Sequence, residues 1–511
     1  MGRRFNVSGE CNPADHYMLA PTKRLPRVWK LVENKAYFIL HAPRQSGKST
    51  TMHAFARELT REGRYTAAFV SAEVGAPLPS DVGMAELALL DEWRRALAFR
   101  LPPELQPPPW PDAPPASRLT AAFRAWANAS VRPLVVFIDE IDALRDETLV
   151  SVLRQLRSAF ADRPGGFPSS VALIGLRDVR DYVIQAGGSG RVGSSSPFNI
   201  KDESLTLRNF TRDEVAELYL QHTADTGQVF EPDAIDRAAE LTGGHPWLVN
   251  ALARQLVEVL VPEPSKPITR AKVDEAKEIL IERRDTHLDS LAAKLREPRV
   301  RAVLEPMLVG TRASDDVLDD DFTYVRDLGL VAKVGGVLEI ANPIYREIVP
   351  RVLSVRQQEQ IREEPAWYVR PDGGLDMPKL LAAFQEFWRT DGHLAAAGFF
   401  YREAGPHLML QAFLQRILNG GGQIEREYAL GRGALDLLVR WKDERYAIEV
   451  KVRRDRETLA EGLRQISRYL DGAGLKEGWL VIIDKRKLPW KKKLYRRDRK
   501  VEGRKIHLMG L

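Results

Sequence analysis

The sequence predicts a multidomain α/β protein: a parallel-sheet domain, a run of helices, and a second, smaller α/β domain at the C-terminal end. Three observations predict it. A short apolar run, Tyr37 to Leu40, leads into a loop ending Gly47-Lys48-Ser49-Thr50 and then into an amphipathic helix. Strand-like and helix-like segments go on alternating to about residue 205, whereas residues 211 to 286 read as helix throughout. The length, 511 residues, has room for about three or four domains of ordinary size.

Taken in order, the first 35 residues are mixed and proline-containing. Met52, Phe55, Ala56 and Leu59 then recur at helical spacing. Thr66–Val70 reads as a strand, residues 83–100 as a helix, and residues 101–117 as a proline-rich excursion that neither helix nor central strand can hold. A helix near 118–128 precedes two apolar strands, Leu134–Ile138 and Val171–Gly175, and a Gly/Ser-rich loop spans 187–197. Thr211 followed by Glu214 is a capping-box helix start. Residues 288–353 read as small helices and a hairpin turning on Gly335-Gly336, the pattern of a winged helix. The last block runs helix, three strands, helix, strand, basic segment, strand. The predicted domains are a parallel-sheet core (1–205), a helical domain (206–287), a winged helix (288–353), a polar linker (354–376) and a C-terminal α/β domain (377–511).

Composition narrows the classes. A 44% hydrophobic content supplies sizeable cores, and a lone cysteine, Cys11, excludes an intrachain disulfide and a Cys-rich zinc module. The nine histidines include no His-x-x-x-His pair, which disfavours a structural metal site. No apolar run approaches the ~18–20 residues of a membrane helix, and the first ten residues lack the apolar core of a signal peptide. No membrane partner and a cytoplasmic location are therefore expected. The net charge of +6 conceals a gradient: residues 401–511 hold 26 Lys+Arg against 15 Asp+Glu, and the rest hold 50 against 55. Such an asymmetry points to a polyanion partner for that end, against the plainer reading of a solvated basic surface.

The loop Ala42-Pro43-Arg44-Gln45-Ser46-Gly47-Lys48-Ser49-Thr50 fits the phosphate-binding pattern G-x-x-x-x-G-K-[ST], with Ala42 in place of the first glycine. After a buried strand, such a loop turns its backbone N–H groups onto phosphates and the helix adds its positive end. Lys48 is expected to reach the β/γ-phosphates of ATP and Ser49 to hold Mg²⁺. The strand Leu134–Ile138 runs into Asp139 and Glu140, carboxylates at the sheet edge where α/β proteins bind ligands. Asp139 is expected to contact Mg²⁺ and Glu140 to polarise the attacking water. Arg177, ending another strand, either points at the γ-phosphate or is a surface arginine paired with Asp178 or Asp181. Thr242 to Pro246 either lets backbone approach an adenine or merely breaks a helix.

These stretches, with the sequences around Arg177 and Gly244-His245-Pro246-Trp247, resemble the bacterial and archaeal AAA-like ATPases of the STAND-related group, over roughly residues 1–353. The resemblance implies a nucleotide-bound core, helical lid and winged helix, with Arg177 as sensor arginine and Gly244 to Pro246 as the lid's nucleotide motif. Arginines acting across subunits would make the ATPase core a homo-oligomer interface.

A second chemical pattern lies in residues 431–452. Read with period two, Leu435, Leu437 and Val439 face one way with Ile448, Val450 and Val452, while Asp436, Glu449 and Lys451 face the other. A two-residue turn at Lys442-Asp443 pairs residues whose numbers sum to 885, setting Asp436 opposite Glu449. Both carboxylates are then close enough to hold one divalent cation, and Lys451 projects beside them to orient a water near a phosphate. Glu425 and Glu427 offer further carboxylates, and Gln465 and Tyr469 stand four apart on the helix that follows.

This arrangement resembles the PD-(D/E)XK nuclease superfamily: Asp436, twelve residues, then Glu449-Val450-Lys451, with Ala434-Leu435 where the family's proline pattern stands. The resemblance implies a restriction-endonuclease-like fold and cleavage of DNA dependent on Mg²⁺, or on Mn²⁺. It also implies a helix motif at Gln465 and Tyr469, an auxiliary carboxylate at Glu427, and a lesser one at Glu403. Residues 485–505 hold 12 Lys+Arg against 2 Asp+Glu, with Trp490 and Tyr495 interleaved. Lys491, Lys492, Lys493, Arg496 and Arg497 are expected to contact DNA phosphates; the plainer reading is a solvated connection before the last strand.

The expected function is ATP hydrolysis that regulates metal-dependent DNA cleavage by the C-terminal domain. The alternative is a DNA-binding ATP switch or loader whose nuclease-like domain only binds. A signalling ATPase acting through a DNA-bound winged helix is disfavoured by Asp315, Asp316, Asp319, Asp320 and Asp321, an acidic run that repels DNA.

Overall fold

The computed structural model describes residues 2–178, 198–283, 286–308, 320–334, 337–353, 368–392, 405–418, 422–425, 436–453, 457–486 and 488–511. Contacts divide the chain into two units, Met1–Arg283 with Arg326–Leu330, and Arg284–Val325 with Val331–Leu511.

The first unit is built on five parallel strands: β1 (Tyr37–His41), β2 (Thr66–Ser71), β3 (Leu134–Asp139), β4 (Ser170–Gly175) and β5 (Lys201–Thr206). They stand in the order β2-β3-β4-β1-β5. Side chains alternate across the sheet, so each central strand feeds two cores and reads as continuously apolar. Tyr37, Ile39, Val136, Ile138 and Leu173 pack with Trp93 of α3 (Val82–Arg100), Phe123 and Trp126 of α4 (Arg118–Ala129), and Val152 of α5 (Asp146–Ser158). Phe38, Leu40, Val135, Phe137 and Ile174 pack on the other side with Leu31 of α1 (Arg27–Glu33) and Met52 and Phe55 of α2 (Lys48–Arg61). The sequence reading places no strand at Lys201–Thr206. An edge position, paired only with β1, lets charged residues occupy a strand there.

Four helices follow in this unit: α6 (Arg212–Thr226), α7 (Pro232–Thr242), α8 (Pro246–Gln255) and α9 (Arg270–Arg283). The capping box at α6 forms as its spacing predicts. Thr211 Oγ1 accepts from the Glu214 N–H at 3.2 Å, and the Glu214 carboxylate accepts from the Thr211 N–H at 2.8 Å. Between α7 and α8, Gly243 and Gly244 both take positive φ, and the Phe210 N–H bonds the Gly244 carbonyl at 2.8 Å. A Cβ on Gly244 would lie 2.0 Å from the Phe210 carbonyl oxygen, so close backbone approach dictates this glycine.

In the second unit come α10 (Thr286–Leu295), α11 (Pro298–Leu308), α12 (Asp320–Asp327), the hairpin β6 (Val331–Val334) and β7 (Val337–Ile340), and α13 (Pro343–Leu353). The end of α12, from Arg326, counts with the first unit. Val331 stands opposite Ile340; the predicted turn at Gly335-Gly336 lies outside the described residues. So do the loop 187–197, Asp315, Asp316, Asp319, Glu403 and Glu427.

The C-terminal block adds α14 (Met377–Phe387), α15 (Gly405–Leu418), α16 (Thr458–Gly472), α17 (Trp490–Lys493) and a mixed six-stranded sheet in the order β12-β13-β11-β10-β9-β8. Its strands are β8 (Gly422–Glu425), β9 (Leu437–Trp441), β10 (Glu444–Val452), β11 (Glu477–Ile483), β12 (Tyr495–Val501) and β13 (Arg504–Gly510). Ile466 and Leu470 of α16 pack on one face, against Leu438, Ala447, Leu480 and Ile482. β9 and β10 pair in the register that the Lys442-Asp443 turn predicts, from Trp441 opposite Glu444 to Leu437 opposite Ile448.

Two segments differ from their predicted character. Residues 368–376, read as linker, pack on this block: Tyr368 and Leu375 are buried, Arg370 pairs with Glu444, and the Tyr446 hydroxyl donates to the Leu375 carbonyl at 2.9 Å. A few single anchors in a Gly-rich stretch leave no period to read. The basic segment forms a helical turn and an edge strand, β12, joined to β13 through Glu502-Gly503, both at positive φ. With charge on both faces it shows no alternation either. Among the described residues no helix is long and apolar enough to cross a membrane.

Gly244→Ala should lower the stability of the first unit by about 3 kcal/mol, because it combines left-handed backbone with a clash against backbone. Urea unfolding followed by tryptophan fluorescence checks this; an unchanged midpoint would show that the α7–α8 connection can relax.

Candidate functional site

Gly47 caps α2 with φ +90°, which turns the loop after β1 so that Lys48 and Ser49 open the helix. Lys48 Nζ donates to the carbonyls of Ala42, at 2.6 Å, and Pro43, at 2.8 Å. Burial lowers the Lys48 pKa to about 8, against the opposing pull of Asp139 and Asp142. Ser49 Oγ donates to Asp139 Oδ2 at 2.5 Å. Asp139 ends β3 and is buried, which raises its carboxyl; bonds from Ser49 and from the Glu140 N–H, at 2.9 Å, act the other way.

Glu140, next along, has φ +54° and receives a hydrogen bond from the Ser71 hydroxyl at 2.9 Å. Its carboxyl is raised by burial and by the charges of Glu73 and Asp139, against the bond from Ser71. Ser71 ends β2 and escaped the sequence reading, because a lone serine after a strand carries no pattern. Glu140 is thus held toward a neighbouring strand end by a bond it can exchange for one to a water.

The loop fits a nucleotide's phosphates and Mg²⁺. Ser46 Oγ is buried without a hydrogen-bond partner, and the Ser49 hydroxyl and Asp139 carboxylate are adjacent oxygen donors of the kind Mg²⁺ takes. Arg44 adds positive charge near Lys48, and Gln45 takes φ +57°. Three further contacts come from the chain before β1. Arg24 donates to the Ser46 carbonyl at 3.4 Å and stacks over Phe210, and its burial lowers its pKa to about 10. The Cys11 N–H donates to Thr50 Oγ1 at 3.3 Å, and Trp247 Nε1, beside Pro246 at the start of α8, donates to the Val7 carbonyl at 2.9 Å. A mixed, aperiodic stretch gave no signal for them.

Arg177 is not a surface residue and does not pair with Asp178; Asp181 lies outside the described residues. Its side chain is 1% exposed, with Nε 3.1 Å from Asp327 Oδ2, while Asp178 pairs with Lys201. Asp327 belongs to the short segment Arg326–Leu330 that counts with the first unit, and in the same segment a Cβ on Gly329 would meet the Pro43 ring at 2.6 Å. The carboxylate partner lies 150 residues away and was invisible in the sequence.

In the second unit, Glu449 is fully buried on β10. Lys451 Nζ lies 2.9 Å from Glu449 Oε1, and Glu449 Oε2 has no hydrogen-bond partner. Asp436 Oδ2 accepts from the Val450 N–H at 2.7 Å, and the half-buried Asp436 has His407 Nδ1 3.6 Å from its other oxygen. Burial, then repulsion from Asp436, raises the Glu449 carboxyl well above the usual range. Burial pulls Lys451 down, but Glu449 and Asp436 outweigh it and raise it. The structure thus brings Asp436, Glu449 and Lys451 together. His407, at the start of α15, was missed because one histidine on a helix carries no pattern.

An orphaned buried carboxylate oxygen beside a second carboxylate suits a divalent cation, which would remove the strain on Glu449. Among the described residues, however, no three His, Cys, Asp or Glu are grouped to hold a metal. Gln465 and Tyr469 are half-buried on α16, whose Gly462 approaches the Lys451 stem. Of the basic residues, Lys491 and Lys492 are exposed, Lys493 stacks on Trp490, Arg497 on Tyr495, and Arg496 donates to Gln385 Oε1 at 2.9 Å.

Residues 384–487 match a family model described as a domain of unknown function (DUF8371). No curated protein sequence matches the chain. Among solved structures, the chain is similar to the Walker-type ATPase PABY2304 of Pyrococcus abyssi, with 14% identity over 68% of this chain and 99% of that one, at a TM-score of 0.48. It is also similar to the Thermotoga maritima RuvB Holliday junction branch migration motor (17% identity, 64% and 92% covered, TM-score 0.34). A third is Cdc6p from Pyrobaculum aerophilum (12% identity, 70% and 98% covered, TM-score 0.37). Identities and TM-scores are low, and the residues of the two sites carry the reading that follows.

Lys48 gives the first site a pH signature. A phosphate favours the ammonium form, so a nucleotide bound there above pH 8 would take up a proton, and its affinity should fall about tenfold per unit of pH beyond it. Lys48→Arg, charged throughout, should flatten that slope. Titration of a fluorescent ATP analogue between pH 7 and 9.5 measures both, and an equal slope in the two proteins would assign it to another group.

Proposed function

We propose that the chain is an AAA-like ATPase whose nucleotide state controls a Mg²⁺-dependent cleavage of DNA by its C-terminal domain. The observation that carries the ATPase part is the 2.5 Å contact between Ser49 and Asp139, with Lys48 and Glu140 on either side of it. Lys48 neutralises the β/γ-phosphates, the loop N–H groups from Arg44 to Thr50 hold their oxygens, and Glu140 takes the proton of the attacking water. Bound Mg²⁺ supplies charge neutralisation of the phosphates, and Ser49 and Asp139 are the residues that hold it. In this reading the helices after β5 form a lid with Pro246 near the nucleotide, the β6–β7 hairpin and its helices a winged helix, and the ATPase core the contact of a homo-oligomer.

The cleavage part rests on Asp436, just before β9, lying close to Glu449 and Lys451 of β10. Asp436 and Glu449 hold the cation, Mg²⁺ or Mn²⁺, and Lys451 orients the water beside the scissile phosphate. Glu427, Gln465 and Tyr469 assist, and Lys491, Lys492, Lys493, Arg496 and Arg497 bind the DNA backbone. A second reading, a DNA-binding ATP switch whose nuclease-like domain does not cut, draws on one observation: no three metal-binding side chains are grouped at this site among the described residues.

Lys48→Ala should abolish ATP hydrolysis, and Glu140→Gln should keep ATP binding while slowing turnover; wild-type hydrolysis by Lys48→Ala would overturn the ATPase reading. Plasmid and single-stranded DNA incubated with Mg²⁺ or Mn²⁺, with and without ATP, tests the rest. Lys451→Ala should lower nicking roughly 10²–10³-fold while DNA binding persists. Binding without nicking in the unsubstituted protein, under every condition, would favour the switch.

A further inference from the structure

Outside both sites, the first unit holds a cavity of about 390 Å³ between α2, β2 and the end of α3. Its volume lies in the range of small-ligand pockets. Arg57 and Arg61, one turn apart on α2, and Arg100 at the end of α3 line it together with His53, Phe69 and Phe99. Arg57 and Arg61 pair with no carboxylate among the described residues. Glu10 lies at one end, bonded to His53 at 2.7 Å, and its carboxyl is held below the usual range by His53 and then by Arg100 and Arg57. Three guanidiniums against the single carboxylate of Glu10 leave the lining with an excess of positive charge that a bound anion would balance.

The floor and rim are apolar. Phe69 is stacked on His53 with ring centroids 5.2 Å apart, and alanine and leucine side chains surround it. Phe99 stands at the rim, 92% exposed, an unusual position for a phenylalanine without a partner. An added peptide strand is a poor occupant, although β2 is an edge strand. Thr60 Oγ1 accepts from the Ala67 N–H at 3.1 Å and donates to its carbonyl at 3.3 Å, and Arg100 donates to the Phe69 carbonyl at 2.8 Å. Three of the backbone groups that strand addition would use, both of Ala67 and the Phe69 carbonyl, are thus already engaged by side chains. A long polyanion is also disfavoured, because residues 1–400 carry 50 Lys+Arg against 55 Asp+Glu and the basic lining is local.

We infer that this cavity is a second nucleotide site, separate from the phosphate loop, that takes a small phosphorylated nucleoside. Arg57 and Arg61 hold its phosphate, Arg100 contributes the donors not spent on Phe69, and Phe99 stacks on its base. The Glu10–His53 pair joins the cavity to the segment whose Cys11 N–H bonds Thr50 at the phosphate loop, so occupancy here can be felt there.

The test uses AMP, adenosine and inorganic pyrophosphate, titrated calorimetrically into the full chain carrying Lys48→Ala, which disables the phosphate loop. AMP should bind with one site per chain, and adenosine and pyrophosphate should each bind at least roughly tenfold more weakly, the scale of one lost charge-assisted or stacking contact. Arg57→Glu with Arg61→Glu should reduce AMP affinity by about tenfold or more, while the double lysine replacement retains most of it. Phe99→Ala should weaken AMP but leave pyrophosphate unchanged. AMP binding that ignores the Arg57 and Arg61 changes would overturn the assignment, as would no AMP heat up to about 1 mM. A poly-glutamate peptide that binds at Arg57 and Arg61 where AMP does not would also overturn it, in favour of a protein partner.

Discussion

The level at which β1 and β3 end governs the first site. The two strands are not neighbours; β4 stands between them, and Leu40 pairs with Ile174 while Ile138 pairs with Leu173. Parallel strands held in that register finish along one edge, so the helix opening at Lys48 meets the carboxylate closing β3. Two apolar cores, one on each side, keep the register from slipping: a one-residue shift would exchange the faces of Phe137 and Ile138 and spoil both. Ser71 at the end of β2 lies along the same edge, which is why it reaches Glu140.

The two sites resolve buried charge in opposite ways. Around Lys48 a cation is buried among backbone carbonyls, with carboxylates near enough to moderate its lowered pKa but engaged elsewhere. That arrangement awaits an anion. Around Glu449 a carboxylate is buried beside another carboxylate, with one lysine as its compensating charge. That arrangement awaits a cation. Each half of the chain thus holds an electrostatic debt of the sign opposite to the ligand its motif suggests.

Patterns that repeat at short range were legible in the sequence. The Gly47-Lys48-Ser49 turn, the apolar run into Asp139, the Thr211 capping box and the Lys442-Asp443 register all follow from spacing over a few residues, and the structure forms each of them. What was not legible falls into two kinds. Edge strands such as Lys201–Thr206 and Tyr495–Val501 are half solvated, so burial imposes no alternation on them. Single contacts between distant segments, such as Ser71 with Glu140, Arg24 with Ser46 or His407 beside Asp436, depend on tertiary placement and leave no local trace.

The buried pair of Arg177 and Asp327 has a consequence for how the chain can change over generations. With 1% and 9% of their side chains exposed, neither charge has water to fall back on. Replacing Arg177 alone leaves the Asp327 carboxylate buried without its counter-ion, a loss of about 3–5 kcal/mol, whereas replacing both by apolar groups of similar size costs far less. The two positions are therefore tied in descent. Relatives lacking the arginine should lack the aspartate as well, and a lineage that crosses from one state to the other must pass through an intermediate that selection disfavours.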